Sequence, residues 1–153
     1  MTFHFRRMDE ASAQAIARWR YPGEFAFYDM EQDPEDLTEL LAPRNWENHY
    51  FAVTDDDGGL VGFFSFEQLD DEISIGLGLR PDQTGKGLGR SFLDAGLDFA
   101  RQRYAPAAFT LSVATFNQRA IRLYRRAGFE EVEVFQQETN GGVYAFLRMR
   151  RVA

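Results

Sequence analysis

The chain contains no cysteine, which removes disulfides, thiolate nucleophiles and cysteine-based metal sites from consideration. Its two histidines, His4 and His49, stand alone with no spacing that would hold zinc, so no metal is expected. Long apolar runs are also missing. The first twenty residues carry charges, which argues against a signal peptide, and no stretch approaches the length of a membrane span. A cytoplasmic protein without a membrane partner is the default reading. No repeat, low-complexity tract or Gly/Ser/Pro-rich linker divides the chain, so its 153 residues are expected to form a single domain, 1–153. Lysine is nearly absent as well. Lys86 is the only one, and arginine supplies the remaining positive charge.

What is present belongs to a folded protein: 44% hydrophobic and 15% aromatic residues, with 15 phenylalanines. The net charge of −7 argues against nucleic-acid binding. That charge is unevenly spread. Residues 1–76 hold 17 acidic and 5 basic side chains, and residues 77–153 hold 7 acidic and 12 basic. One half suits a cationic ligand and the other a polyanionic one; two solvated faces that merely differ are the alternative.

Periodicity predicts the element order β-α-α-β-β-β-α-β-α-β-β. Phe3–Arg6 alternates as a strand, Asp9 precedes a helical pattern through Trp19, and Asp33-Pro34 opens a second helix that Pro43 ends. Between these helices, Tyr21–Met30 reads as an aromatic loop. Strands follow at Tyr50–Val53, Leu60–Phe66 and Ile73–Leu79, with Asp55–Gly59 as a turn. Helical spacing from about 90 to 104, a strand through Phe109, Leu111 and Val113, and a helix capped by Asn117 and stopped by Gly128 come next. Two last strands flank Asn140-Gly141-Gly142. The crossover helices favour parallel pairing near the sheet's middle. The fold class is mixed α/β, an α+β arrangement on a mixed sheet.

Two segments carry chemistry. In Leu79–Arg90 a strand passes into a helix through Gly85, Gly87 and Gly89. Backbone N–H groups freed of side chains at a helix N-terminus can cradle phosphate oxygens, and Lys86 and Arg90 add positive charge; a merely flexible turn is the alternative. A P-loop is excluded because Gly87 follows Lys86 and Arg80 occupies the first glycine's place. A dinucleotide fingerprint fails because Arg90 stands where its last glycine belongs. In the second segment Asn117 and Tyr124 lie seven residues apart on one helical face, although Tyr124 serves equally well as a core aromatic.

Together these segments resemble the GNAT superfamily of N-acetyltransferases. Its first signature, Arg/Gln-x-x-Gly-x-Gly/Ala, is matched by Thr84-Gly85-Lys86-Gly87-Leu88-Gly89, with Thr84 in place of Arg or Gln. Its second, Asn-x-x-Ala-x-x-x-Tyr-x-x-x-Gly-Phe, is complete as Asn117, Ala120, Tyr124, Gly128 and Phe129.

The resemblance implies a GNAT-like fold, acetyl-CoA as cosubstrate and an amine as acceptor. Leu77, Gly78 and Leu79 would bond the pantetheine arm through their backbone. Thr84, Gly85, Lys86, Gly87, Leu88, Gly89 and Arg90 would form the pyrophosphate turn. Asn117 would contact the cofactor arm, and Tyr124 would serve the thioester sulfur. Several family members use a glutamate on the strand before the turn as base; Glu72 is the candidate, one residue off the usual spacing, and Ser112 could hold a water. Glu24 and Tyr28, with Asp29, lie where such enzymes build an acceptor pocket, and an aromatic lid is the plainer reading of that stretch. A non-catalytic acyl-CoA sensor is the competing function. O-acylation would need a stronger base than the sequence offers. The acceptor's identity, the acyl length and the assembly, with a homodimer left open, are not encoded.

Overall fold

The computed structural model describes residues 2–153. Seven strands and four helices follow the expected order: β1 (His4–Arg7), α1 (Glu10–Ala17), α2 (Pro34–Leu41), β2 (Tyr50–Thr54), β3 (Leu60–Leu69), β4 (Glu72–Leu79), α3 (Gly89–Tyr104), β5 (Ala108–Ala114), α4 (Gln118–Arg126), β6 (Glu130–Thr139) and β7 (Gly142–Val152). The strand order is β1-β2-β3-β4-β5-β7-β6. The chain divides into two units. One runs to Ser65 and takes in Leu77–Leu88; the other comprises Phe66–Gly76 and Gly89–Ala153.

In the first unit β1, β2 and the start of β3 pair antiparallel, with Phe5 opposite Val53 and Phe51 opposite Phe64. Local capping sets the two helices. Asp9 accepts the Ser12 N–H at 2.7 Å, which holds its carboxyl below the usual range. Asp33 accepts the Glu35 N–H at 3.0 Å ahead of Pro34. Both helices bury one stripe: Ala13, Ile16 and Leu40 join Met8, Tyr50, Ala52 and Phe63 in one core, with Trp19, Met30 and Trp46 packed against it. The aromatic stretch after α1 is more ordered than a loop. It winds as 3₁₀ turns at Gly23–Tyr28 and Met30–Gln32, closed by bonds such as Asp29 N–H to the Ala26 carbonyl at 3.0 Å. Turns this short leave no hydrophobic period in the sequence.

In the second unit the start of β4 runs parallel to β5, Glu72–Ser74 against Ala108–Thr110. Beyond β5 the pairing is antiparallel through β7 to β6. The β6–β7 hairpin turns on Asn140 and Gly141 at φ 51° and 75°, the two left-handed residues of a type I′ turn. Helix α3 buries Phe92, Leu93, Leu97 and Ala100, and Phe109 of β5 and Met149 of β7 are wholly buried. Leu93→Ala removes apolar volume from this closed interior and is expected to cost about 2–5 kcal/mol, read as a lower midpoint in urea unfolding.

Candidate functional site

The end of β4 and the bend that follows lie in the first unit. A side chain at Gly78 would drive into the Phe63 ring, so glycine there lets β3 and β4 keep an aromatic between them. Past Leu79, the Arg80 N–H donates to the Val61 carbonyl at 2.8 Å. Its guanidinium reaches the Leu60 carbonyl at 2.7 Å and Asp82 at 2.6 Å. The chain then makes one 3₁₀ turn, Pro81–Gln83. The Thr84 hydroxyl closes it by donating to the Pro81 carbonyl at 2.7 Å. Thr84 therefore serves its own turn.

Gly85 and Gly87 take φ +73° and +76°, a handedness that costs other residues about 1–2 kcal/mol. A Cβ at either would meet nothing within 4 Å, so conformation, and not space, calls for glycine. Left-handed residues alternating with ordinary ones turn successive N–H groups toward one concavity. Gly85, Lys86 and Gly87 are exposed, Leu88 is half-buried, and α3 begins at Gly89.

The second unit holds the remaining cofactor candidates. A Cβ on Gly89 would come within 3.1 Å of Leu123, so this glycine brings the start of α3 onto α4. Arg90 bonds Asp94 at 3.1 Å and the Arg126 carbonyl at 3.1 Å. Its charge thus meets the carbonyl end of α4. Asn117 caps α4, its side-chain oxygen accepting the Ala120 N–H at 3.1 Å. At the other end Phe129 N–H returns to the Tyr124 carbonyl and Gly128 N–H to the Arg125 carbonyl, both at 3.0 Å, with Gly128 at φ +92°. This is a Schellman cap. Its apolar contact is the buried Phe129 against the half-buried Tyr124 ring, 6.1 Å between centroids.

Glu72 opens β4, whereas the bend follows the strand's last residue. Its carboxylate is gripped by Arg150 through three contacts of 3.0–3.3 Å, a pairing that raises the arginine's pKa. A base role would require it to leave that partner. Ser112 is exposed on β5, opposite Arg148 of β7.

On the acceptor side, in the first unit, Glu24 is exposed and Tyr28 half-buried on the first 3₁₀ turn, with Tyr28 edge-on to Phe27 at 5.4 Å. Asp29 does not face solvent as a cation receptor would. It is 6% exposed and accepts the Tyr21 N–H at 2.8 Å. The Tyr21 hydroxyl donates to the Leu79 carbonyl at 2.6 Å. This contact spans 58 positions, and only the aromatic density of the loop hinted at it. Leu77–Leu79 and Thr84–Leu88 thus share a unit with Glu24 and Tyr28, while Glu72, Gly89, Arg90, Asn117 and Tyr124 belong to the other.

The model of the acetyltransferase (GNAT) family matches residues 13–129, from α1 through the Schellman cap. The chain belongs to the GNAT family. Mycothiol acetyltransferase of Propionibacterium freudenreichii subsp. shermanii is 39% identical to this GNAT chain over 108 residues, covering 67% of the chain and 31% of the relative. Streptothricin acetyltransferase of Streptomyces lavendulae is 35% identical, covering 66% and 53%. The chain thus spans about a third to a half of the length of these relatives. Spermidine N-acetyltransferase from Vibrio cholerae, solved with CoA and spermine, superposes with a TM-score of 0.79 over 98% of this chain and 95% of that one at 20% identity, a likeness of fold. Among the described residues no group of three or more acidic or histidine side chains could hold a metal ion, and no helix is long and apolar enough to cross a membrane.

Gly87→Ala tests the bend in this GNAT chain. With open space around the new methyl, the cost is conformational, about 1–2 kcal/mol. The melting temperature in scanning calorimetry is expected to fall by about 2–8 °C.

Proposed function

We propose that residues 1–153 act as one N-acetyltransferase domain that moves an acetyl group from acetyl-CoA to a primary amine of a small molecule or peptide, by direct attack in a ternary complex. The observation that carries this is the left-handed pair Gly85 and Gly87 at the entrance to α3, within a chain of the GNAT family. The bend fits a pyrophosphate on three counts. It has the handedness that gathers N–H groups, it is exposed, and it carries the chain's only lysine.

Bound acetyl-CoA supplies an activated acyl carbon and a thiolate leaving group. In this proposal Thr84 through Arg90 hold the diphosphate end through their backbone, and Lys86 adds charge. Leu77 and Leu79 hold the pantetheine arm as an added strand would, with the side-chain-free Gly78 between them, and the Leu79 N–H stabilises negative charge developing on the acyl oxygen. As the amide bond forms and the C–S bond breaks, Tyr124 donates its phenolic proton, or a hydrogen bond, to the departing sulfur, and the proton shed by the attacking amine restores the phenol. Asn117, whose oxygen caps α4, contributes chiefly by fixing the helix that carries Tyr124. Glu72 is assigned to its ion pair with Arg150 and not to proton abstraction. Much of the acceleration comes from holding the reactants together. The acidic surplus of residues 1–76 and the exposed Glu24, on the same 3₁₀ segment as Tyr28, favour a cationic acceptor. A cytoplasmic setting and a homodimer belong to the same proposal; the second is supported by the outermost strand β6, which exposes Val132 and Val134.

The deciding experiment follows CoA release across a panel of amines, with acetyl-CoA and a longer acyl-CoA as donors. Amine-dependent release sustains the proposal. Tight acetyl-CoA binding with no release by any amine replaces it with a sensor. Once an acceptor is found, Tyr124→Phe is expected to lower kcat about a hundredfold while CoA affinity stays within twofold.

A further inference from the structure

One residue joins the acceptor-side loop to the strand end proposed to hold the acyl group. The Leu79–Arg80 peptide is held from both sides: its carbonyl accepts the Tyr21 hydroxyl at 2.6 Å, and its N–H donates to the Val61 carbonyl at 2.8 Å. Along an extended strand the N–H and C=O of one residue face the same edge, and successive residues face opposite edges. Because the Arg80 N–H points to β3, the Leu79 carbonyl faces the other edge of β4, and so do the polar groups of Leu77. That is the edge along which an amide-bearing arm would add as a strand. The phenol of Tyr21 stands at its last residue.

Tyr21 is itself tightly held. Its N–H goes to Asp29 at 2.8 Å, and Asp29 is buried, so the carboxylate closes the loop that carries Glu24 and Tyr28. A second tie, Arg20 to Glu31 at 2.6 Å, spans the same loop. Burial, and then the charge of Asp29, raise the hydroxyl's pKa, which keeps it a donor throughout the physiological range.

We propose that Tyr21 is a positioning residue for acetyl transfer. Its hydroxyl fixes the last peptide of β4, ends the track open to the cosubstrate arm, and sets the acceptor loop at a constant distance from that end. The inference rests on the acetyltransferase reading above. A packing tyrosine would contribute its ring and would not need its hydroxyl. A positioning tyrosine needs the hydroxyl, because small displacements of reacting groups cost large factors in rate.

Tyr21→Phe keeps the ring and deletes the bond. With the acceptor identified in the amine panel, the expected result is a kcat at least tenfold below wild type, with the acetyl-CoA dissociation constant within twofold and the melting temperature within a few degrees. Such a split locates the loss in the ternary complex, not in cosubstrate binding. Unchanged kcat overturns the inference. So does a fall in kcat matched by an equal loss of acetyl-CoA affinity or by a large drop in melting temperature, since either is what lost packing would produce. Failure of the underlying reading is visible separately, in the wild type: if no amine releases CoA from it, both proposals fall together.

Discussion

Between Leu79 and Gly89 the chain must leave a strand and enter a helix through an exposed bend, and the left-handed backbone of Gly85 and Gly87 permits this. Residues with side chains would resist that handedness, and the open space around both positions leaves no competing reason for glycine. The neighbouring contacts serve the same bend. Arg80 ties its start to Leu60, Val61 and Asp82, and Thr84 closes the turn before it. Arg90, on the far side, is tied to Asp94 and the end of α4. A flexible connector would not be anchored at both ends in this way.

The second signature of the family has an equally local explanation. Asn117 begins α4, and Gly128 with Phe129 ends it in a Schellman cap whose apolar contact is the Tyr124 ring. Four of the five motif residues therefore act on one helix: they set its first turn, its last turn and the placement of its single tyrosine. Within this helix Asn117 is first a cap, and any contact with a cosubstrate would be additional.

Features governed by neighbours in sequence were legible before any coordinates. The element order follows from apolar spacing and from caps at Asp9, Asp33 and Asn117. The hairpin follows from Asn140-Gly141, and the bend from its glycines. What escaped was long-range or too short to be periodic. The 3₁₀ turns after α1 span only a few residues. Asp29 reads from the sequence as an acceptor-pocket carboxylate, whereas the fold buries it against the Tyr21 N–H. Glu72 resembled a candidate base because its partner, Arg150, lies 78 positions away. Tyr21 was submerged among the aromatics of its loop, and its bond to Leu79 crosses 58 positions. Each of these depends on which residue the fold brings opposite, and a single chain's local pattern does not record that.

The most direct test of the central claim is a backbone-amide NMR titration of the labelled protein with CoA. The account predicts that the largest shifts, saturating with ligand, fall on the amides of Gly85, Lys86, Gly87, Leu88 and Gly89. Saturable CoA binding that leaves those five amides unmoved, or no saturable binding at all, would contradict it.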